Sequence, residues 1–216
     1  MEPFIVDPNG YDKELELRRA IGYVEGFLSL NGLPTVDEYL FAPDLARNPP
    51  GRNPWHDKGW YWFGTLFVNL RRSKVPVKVP GFSWSYTGYK ADLTAPGILA
   101  HEVGHHVHLE LDRRGDVDVR RGLLALIRAV AATEAPVSGY EPNEHEVMAE
   151  AMRLFIMNPS LLLEGRPKRF AMLVGLGLQP PHHAPWRDVL RNAHPRFISA
   201  AENWIRRAGS LFERKA

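Results

Sequence analysis

The sequence of 216 residues predicts an α+β fold, in which a small twisted sheet near the N-terminus packs on a mainly helical bundle. Two observations predict this class. Aromatic and β-branched runs that are typical of strands are concentrated between residues 60 and 86, and apolar residues at helical spacing dominate after Tyr89. The length fits a single domain over residues 1–216, with a helix and sheet in 1–92 and a helical part in 93–216.

The N-terminal part is predicted to contain one helix and a few strands. The apolar spacing indicates a helix that ends at Asn31-Gly32, ahead of Pro34. A segment rich in Pro, Gly and Asn predicts a long loop before the first aromatic run. The predicted elements are a helix over 12–30, a loop over 42–59, a strand over 60–70 bent at Gly64, and strands over 75–79 and 82–86.

The C-terminal part is predicted to be a series of helices. Thr94 is the expected N-cap of the first, with Pro96 in its first turn, and Asn143 is the expected N-cap of the third. Pro159 should end the third helix, because the residue before a proline disfavours helical geometry. The predicted helices are 94–111, one around 123–130, 143–157, 166–173 and 195–212, with a loop over 180–185 before the last.

Composition and charge exclude several functional classes. The chain has no cysteine, which excludes disulfide scaffolds, cysteine-ligated zinc sites and thiol nucleophiles. A formal net charge of +2 is too small to indicate a nucleic-acid partner by itself. The N-terminus lacks the pattern of a signal peptide, and no apolar run approaches the ~20 residues that a membrane span requires. We therefore expect a cytoplasmic protein without a membrane partner, and its general character suggests a bacterial or phage-encoded chain.

The segment His101-Glu102-Val103-Gly104-His105 has the pattern H-E-x-x-H on a predicted helix. Two histidines four residues apart lie about 40° apart on one helix face, so both imidazoles can bind one zinc ion. Glu102 lies beside that face, where it can take a proton from a zinc-bound water. The alternative is a pair of histidines on a solvated helix face, which the apolar residues around them disfavour; these are Ile98, Leu99, Val103 and Val107.

A catalytic zinc site needs a third ligand from the protein. The extended pattern with a third histidine is excluded, because it requires Gly at 108 and His at 111, where this chain has His108 and Leu111. A later helix offers Glu146 and Glu150 on one face, and the small Ala149 between them would let two helices approach closely. Glu146 could instead form a capping pair with Asn143, in which case Glu150 would be the ligand.

The motif His101-Glu102-Val103-Gly104-His105, followed by Tyr140 and by the run from Asn143 to Leu154, resembles the catalytic domain of the anthrax lethal factor family. The resemblance covers roughly residues 94–160. That family consists of gluzincins, zinc metallopeptidases of the zincin fold with two histidines and one glutamate on the metal. The resemblance therefore implies a zincin-like fold and a zinc-dependent endopeptidase that acts on a peptide or protein substrate.

The same resemblance assigns roles to individual residues. It implies His101, His105 and Glu146 as ligands of Zn2+, Glu102 as the general base, and Glu150 as a carboxylate that steadies a ligand histidine. A tyrosine before the third ligand stabilises the oxyanion or protonates the leaving amine in that family, and Tyr140 corresponds to it. The alternative for Tyr140 is a loop aromatic that packs on the helix.

Two further functional classes compete with the peptidase. A catalytically inactive module, in which the metal serves structure or partner binding, is disfavoured because Glu102 is present. A nucleic-acid-associated protein has only the small basic surplus in its favour. The remaining histidines of this region, His106, His108 and His145, are expected to be surface residues or neighbours of the site rather than ligands.

Overall fold

The structure is a computed structural model, and it describes residues 12–42, 48–53, 55–74, 93–181 and 194–213. The strands predicted over 75–79 and 82–86 lie outside the described residues, as does most of the loop predicted over 180–185. The described elements, in chain order, are α1 (Lys13–Leu30), β1 (Glu38–Leu40), β2 (Gly59–Trp62), β3 (Thr65–Val68), α2 (Ala95–Arg113), α3 (Val117–Ala131), α4 (Glu144–Met157), α5 (Pro159–Gly165), α6 (Pro167–Gly175) and α7 (Pro195–Glu213). The predicted α+β class is confirmed.

The described sheet has three strands in the order β1-β3-β2. β2 and β3 pair antiparallel, so the run predicted as one strand bent at Gly64 is in fact a hairpin. The reason is that Phe63 and Gly64 both have positive φ, 42° and 91°, and two such residues make the tight turn that joins antiparallel strands. β1 pairs parallel with β3 and was not predicted, since three residues are too few to show a strand periodicity.

The ends of the two helices around the metal motif follow local capping rules. Thr94 Oγ1 accepts the Gly97 N–H at 3.1 Å at the start of α2. Asn143 Oδ1 accepts the N–H groups of His145 and Glu146 at the start of α4. Both predicted N-caps are therefore confirmed, since each satisfies backbone donors that the helix itself leaves unpaired.

Proline 159 ends α4 as predicted, but it also begins a helix that the sequence did not predict. It is the first residue of α5, a position that suits proline because the N–H it lacks would have no partner there. The predicted helices over 166–173 and 195–212 correspond to α6 and α7.

One hydrophobic core includes residues of all seven described helices and of β3. α2 lies at its centre and packs on α4, α1, β2 and β3. Its motif residues are consequently buried on several sides, which distinguishes them from histidines on a solvated face. None of the described helices is both long and apolar enough to cross a membrane.

Candidate metal centre

α2 and α4 lie side by side and bring the two motif histidines to Glu146. The Glu146 Oε2 atom lies 3.0 Å from His101 Nε2 and 3.5 Å from His105 Nε2. One potential ligand atom from each of the three residues lies within 4.8 Å of the others. Two imidazole nitrogens and one carboxylate oxygen, drawn from two helices, therefore form a group that could hold a metal ion.

The surroundings of the Glu146 carboxylate suit a bound cation. Its Oε2 atom is buried and, despite its closeness to His101, forms no well-oriented hydrogen bond with any described residue. A buried carboxylate oxygen that faces two imidazole nitrogens needs a positively charged partner, and a cation among the three ligand atoms would supply one. The residues present thus fit a metal ion bound by His101, His105 and Glu146.

Glu150 orients His101 rather than joining the ligand group. His101 donates its Nδ1–H to Glu150 Oε1 at 2.8 Å, which leaves the His101 Nε2 atom facing Glu146. Arg153 is fully buried and donates to both oxygens of Glu150, at 3.1 and 3.0 Å. Sequence reasoning missed this role of Arg153, although its spacing of three residues from Glu150 indicates such a pair.

The carboxylates of Glu146 and Glu150 and the imidazole of His101 shift one another's pKa values. Burial alone would lower the pKa of His101, but the carboxylates of Glu146 and Glu150 reverse this effect and raise it to about 10. Burial would raise the pKa of each glutamate, yet His101 and Arg153 lower that of Glu150 to about 2, and His101 and His105 hold that of Glu146 well below its usual range. Since a metal binds neutral imidazole, metal binding at this site should release a proton.

Glu102 is buried beside the ligand group. Burial raises the pKa of its carboxyl, and the nearby His101 and His105 partly oppose this. At the start of β2, a Cβ atom on Gly59 would lie 2.9 Å from Glu102 Oε1 and 2.5 Å from Ile98 Cγ2. Only glycine therefore fits at position 59 without displacing the Glu102 carboxylate.

A cleft of about 360 Å³ contains all the predicted site residues. Tyr140 is half-exposed at its edge, and its ring centroid lies 5.8 Å from that of His101, so the tyrosine faces the site. Burial and the charges of Glu146 and Glu102 raise the pKa of Tyr140. The cleft is also lined by residues that sequence reasoning missed, because nothing in the predicted loop over 42–59 marks them; they are Arg52, His56, Asp57 and Lys58.

The neighbouring histidines do not join the ligand group. His106 is buried: its Nε2 donates to the Pro34 carbonyl at 2.8 Å, and its Nδ1 lies 2.9 Å from the Tyr61 hydroxyl. His108 is also buried, and burial lowers its pKa to about 3. Of the two expected positions for these histidines, at the surface or beside the site, burial excludes the surface, because α2 is covered on several sides by other elements. His145 is exposed as expected.

The approach of α2 to α4 depends on Gly104. A Cβ atom on Gly104 would lie 2.7 Å from Ala149 Cα and 2.9 Å from the Ala149 carbonyl oxygen. We expect Gly104→Ala to destabilise the protein by about 1–3 kcal/mol and to weaken metal binding, since it separates the helix of His101 and His105 from that of Glu146. Thermal unfolding and zinc titration measure the two effects.

Gly22 in α1 provides a matched control for this prediction. A Cβ atom there would meet nothing within 4 Å, so Gly22→Ala should raise the free energy of unfolding by roughly 0.5–1 kcal/mol through helix propensity. Equal stability and metal affinity in Gly104→Ala and the wild type would contradict a close contact between the helices.

Comparisons with known proteins identify no relative: no protein-family model, no curated protein and no solved structure matches the chain.

Proposed function

We propose that this protein is a zinc-dependent metallopeptidase of the gluzincin type. The observation that carries the proposal is the convergence of His101, His105 and Glu146 on one point beside the buried carboxylate of Glu102. Glu150 supports it further, since its hydrogen bond to His101 Nδ1 leaves the Nε2 atom for a metal.

Zinc is the metal that suits this donor set best. Two imidazoles and one carboxylate are a set found in zinc hydrolases, and a set of three protein ligands leaves a position for water and substrate. When bound, zinc would lower the pKa of a water molecule and polarise the scissile carbonyl.

The residues of the chain supply the proton transfers. In the proposed mechanism Glu102, which is buried beside the ligand group, accepts the proton of the attacking water and returns it to the leaving amine. Tyr140 keeps its phenolic proton near neutral pH, because its pKa is raised above an already high value. Its hydroxyl can therefore donate a hydrogen bond to the oxyanion that develops on the substrate.

The position of β2 supports a peptide as the substrate. β2 is at the edge of the described sheet, and its first residue, Gly59, lies against Glu102 and lines the cleft. An edge strand offers unpaired backbone groups, with which an extended peptide can pair. A peptide that pairs with β2 would pass beside the ligand group.

The proposal is tested by metal analysis followed by a cleavage assay. We expect the purified protein to contain about one zinc per chain. It should cleave members of a peptide library, lose this activity with a zinc chelator, and regain it when zinc is restored. A zinc-loaded protein that cleaves no peptide or protein substrate would overturn the proposal and favour an inactive module that uses the metal for structure or partner binding.

A further inference from the structure

The loop between α3 and α4, residues 132–143, carries Tyr140 to the cleft and is attached to the N-terminus of α6. α6 has no side-chain N-cap from its own flank. Instead, the carboxylate of Glu134 in the loop accepts the N–H groups of Lys168 and Arg169, at 2.9 and 3.0 Å. The loop thus supplies the cap of a helix that is distant from it in sequence.

A second attachment lies next to Tyr140. The Nη2 atom of Arg169 lies 3.0 Å from Glu141 Oε2 in an ion pair whose side chains are 1% and 4% exposed. The other oxygen of Glu141 accepts the N–H groups of Val137 and Ser138, at 2.6 and 3.3 Å. The Glu141 carboxylate therefore connects the buried Arg169 to the backbone of Val137 and Ser138, just before Tyr140 in the chain.

Because both charges lose their hydration, a buried ion pair such as this one contributes little to the free energy of unfolding. Moving two charges out of water is costly, and an apolar pair of the same volume is often as stable or more so. In some proteins a buried ion pair instead fixes one geometry, because other arrangements would leave a charge buried without its partner. Here the segment whose geometry the Arg169–Glu141 pair would fix is the loop that carries Tyr140.

We propose that Arg169, acting through Glu141, is a positioning residue that holds Tyr140 at the metal-binding group. The proposal rests on the proposed function, in which the Tyr140 hydroxyl contacts the substrate. Arg169 belongs to α6 and does not line the cleft, so the proposed route of its effect on catalysis is the loop, through Glu141.

The double variant Arg169→Met/Glu141→Gln tests the proposal. It removes both charges of the pair together, and the glutamine can still accept from Val137 and Ser138. Glu134, whose Oε2 atom lies 3.7 Å from Arg169 Nε, keeps the backbone N–H groups of Lys168 and Arg169 as partners. We expect kcat to fall roughly 100-fold, as in Tyr140→Phe, with KM and zinc affinity little changed. Adding Tyr140→Phe to the double variant should cause no further loss, because the two changes remove the same interaction.

A measurement independent of activity uses 3-fluorotyrosine and fluorine NMR, with the resonance of Tyr140 identified from the Tyr140→Phe variant. In the wild type this resonance should shift when zinc is added, and in the double variant the shift should be lost. If the wild type cleaves no substrate, the proposed function fails, and the NMR result alone decides the positioning role.

Several outcomes would overturn the proposal. These are wild-type kcat in a folded double variant, a loss that adds fully to that of Tyr140→Phe, or an equal response of Tyr140 to zinc in both proteins. If the double variant does not fold, Glu141→Gln alone should show the same changes to a smaller degree, and wild-type behaviour there would count against the proposal. The control is Arg128→Met/Glu144→Gln, which removes a more exposed ion pair between α3 and α4, the two helices that the loop connects, and should leave kcat unchanged.

Discussion

Replacing Glu102 by glutamine is expected to lower peptide hydrolysis by on the order of 100-fold or more while zinc stays bound. The amide has the shape of the carboxylate, so it fits the same buried place against Gly59. It cannot accept a proton from water, and Glu102 is not one of the three proposed ligands. The measurement is kcat of the zinc-loaded variant, together with its zinc content.

A matched control lies on the same helix. Glu110 of α2 pairs with Arg113 and is not part of the cleft, so Glu110→Gln should keep both zinc and activity. A Glu102→Gln variant with wild-type activity would contradict the general-base mechanism. A variant that has lost its zinc would instead show that Glu102 contributes to metal binding.

Glu146→Ala is expected to abolish stable zinc binding, because it leaves only the two histidines. Glu150→Gln should keep zinc but bind it roughly 10–100-fold more weakly, since the glutamine can still accept from His101 but carries no charge. Glutamine is the better replacement at 150, because alanine would leave the buried Arg153 without its carboxylate partner. Zinc affinities of the two variants, measured side by side, check the assignment.

Glu144→Ala is the control for effects on the helix itself. Glu144 and Glu146 both lie in the first turn of α4, so both substitutions affect the start of the helix, but only Glu146 contacts the histidines. The capping alternative predicts the opposite pattern, in which Glu146→Ala frays the helix by ~1 kcal/mol and Glu150 carries the metal. Undiminished zinc affinity in both Glu146→Ala and Glu150→Gln would contradict the gluzincin proposal as a whole.

The capping alternative shows where sequence reasoning reached its limit. The sequence indicates that Asn143 caps α4, and the structure agrees, but the cap uses the Asn143 side chain and the backbone of residues 145 and 146. The Glu146 side chain remains available and lies at the two histidines. Which of two glutamates on one helix face meets the Nε2 atoms of both histidines depends on how far one helix is shifted along the other, and no local pattern encodes that shift.

Local rules were enough for the helices of the site. N-cap residues, apolar spacing and the four-residue spacing of His101 and His105 are properties of short segments, so they predict α2, α4 and the shared face of the histidines. The same rules failed where the tertiary context decides the conformation. The aromatic run after residue 59 became a hairpin because of the turn at Phe63 and Gly64, and β1 exists only through its pairing with β3.

The sequence by itself determined the chemistry that this protein can offer: two histidines on one helix face, a carboxylate beside them and acidic residues on a later helix. The tertiary structure decided which of these groups meet. It placed Gly104 against Ala149, turned Glu150 toward Arg153 and His101, and connected Arg169 to the loop of Tyr140. These contacts join segments up to 49 residues apart, as with His101 and Glu150, and arise only when burial of the common core sets the distances between helices.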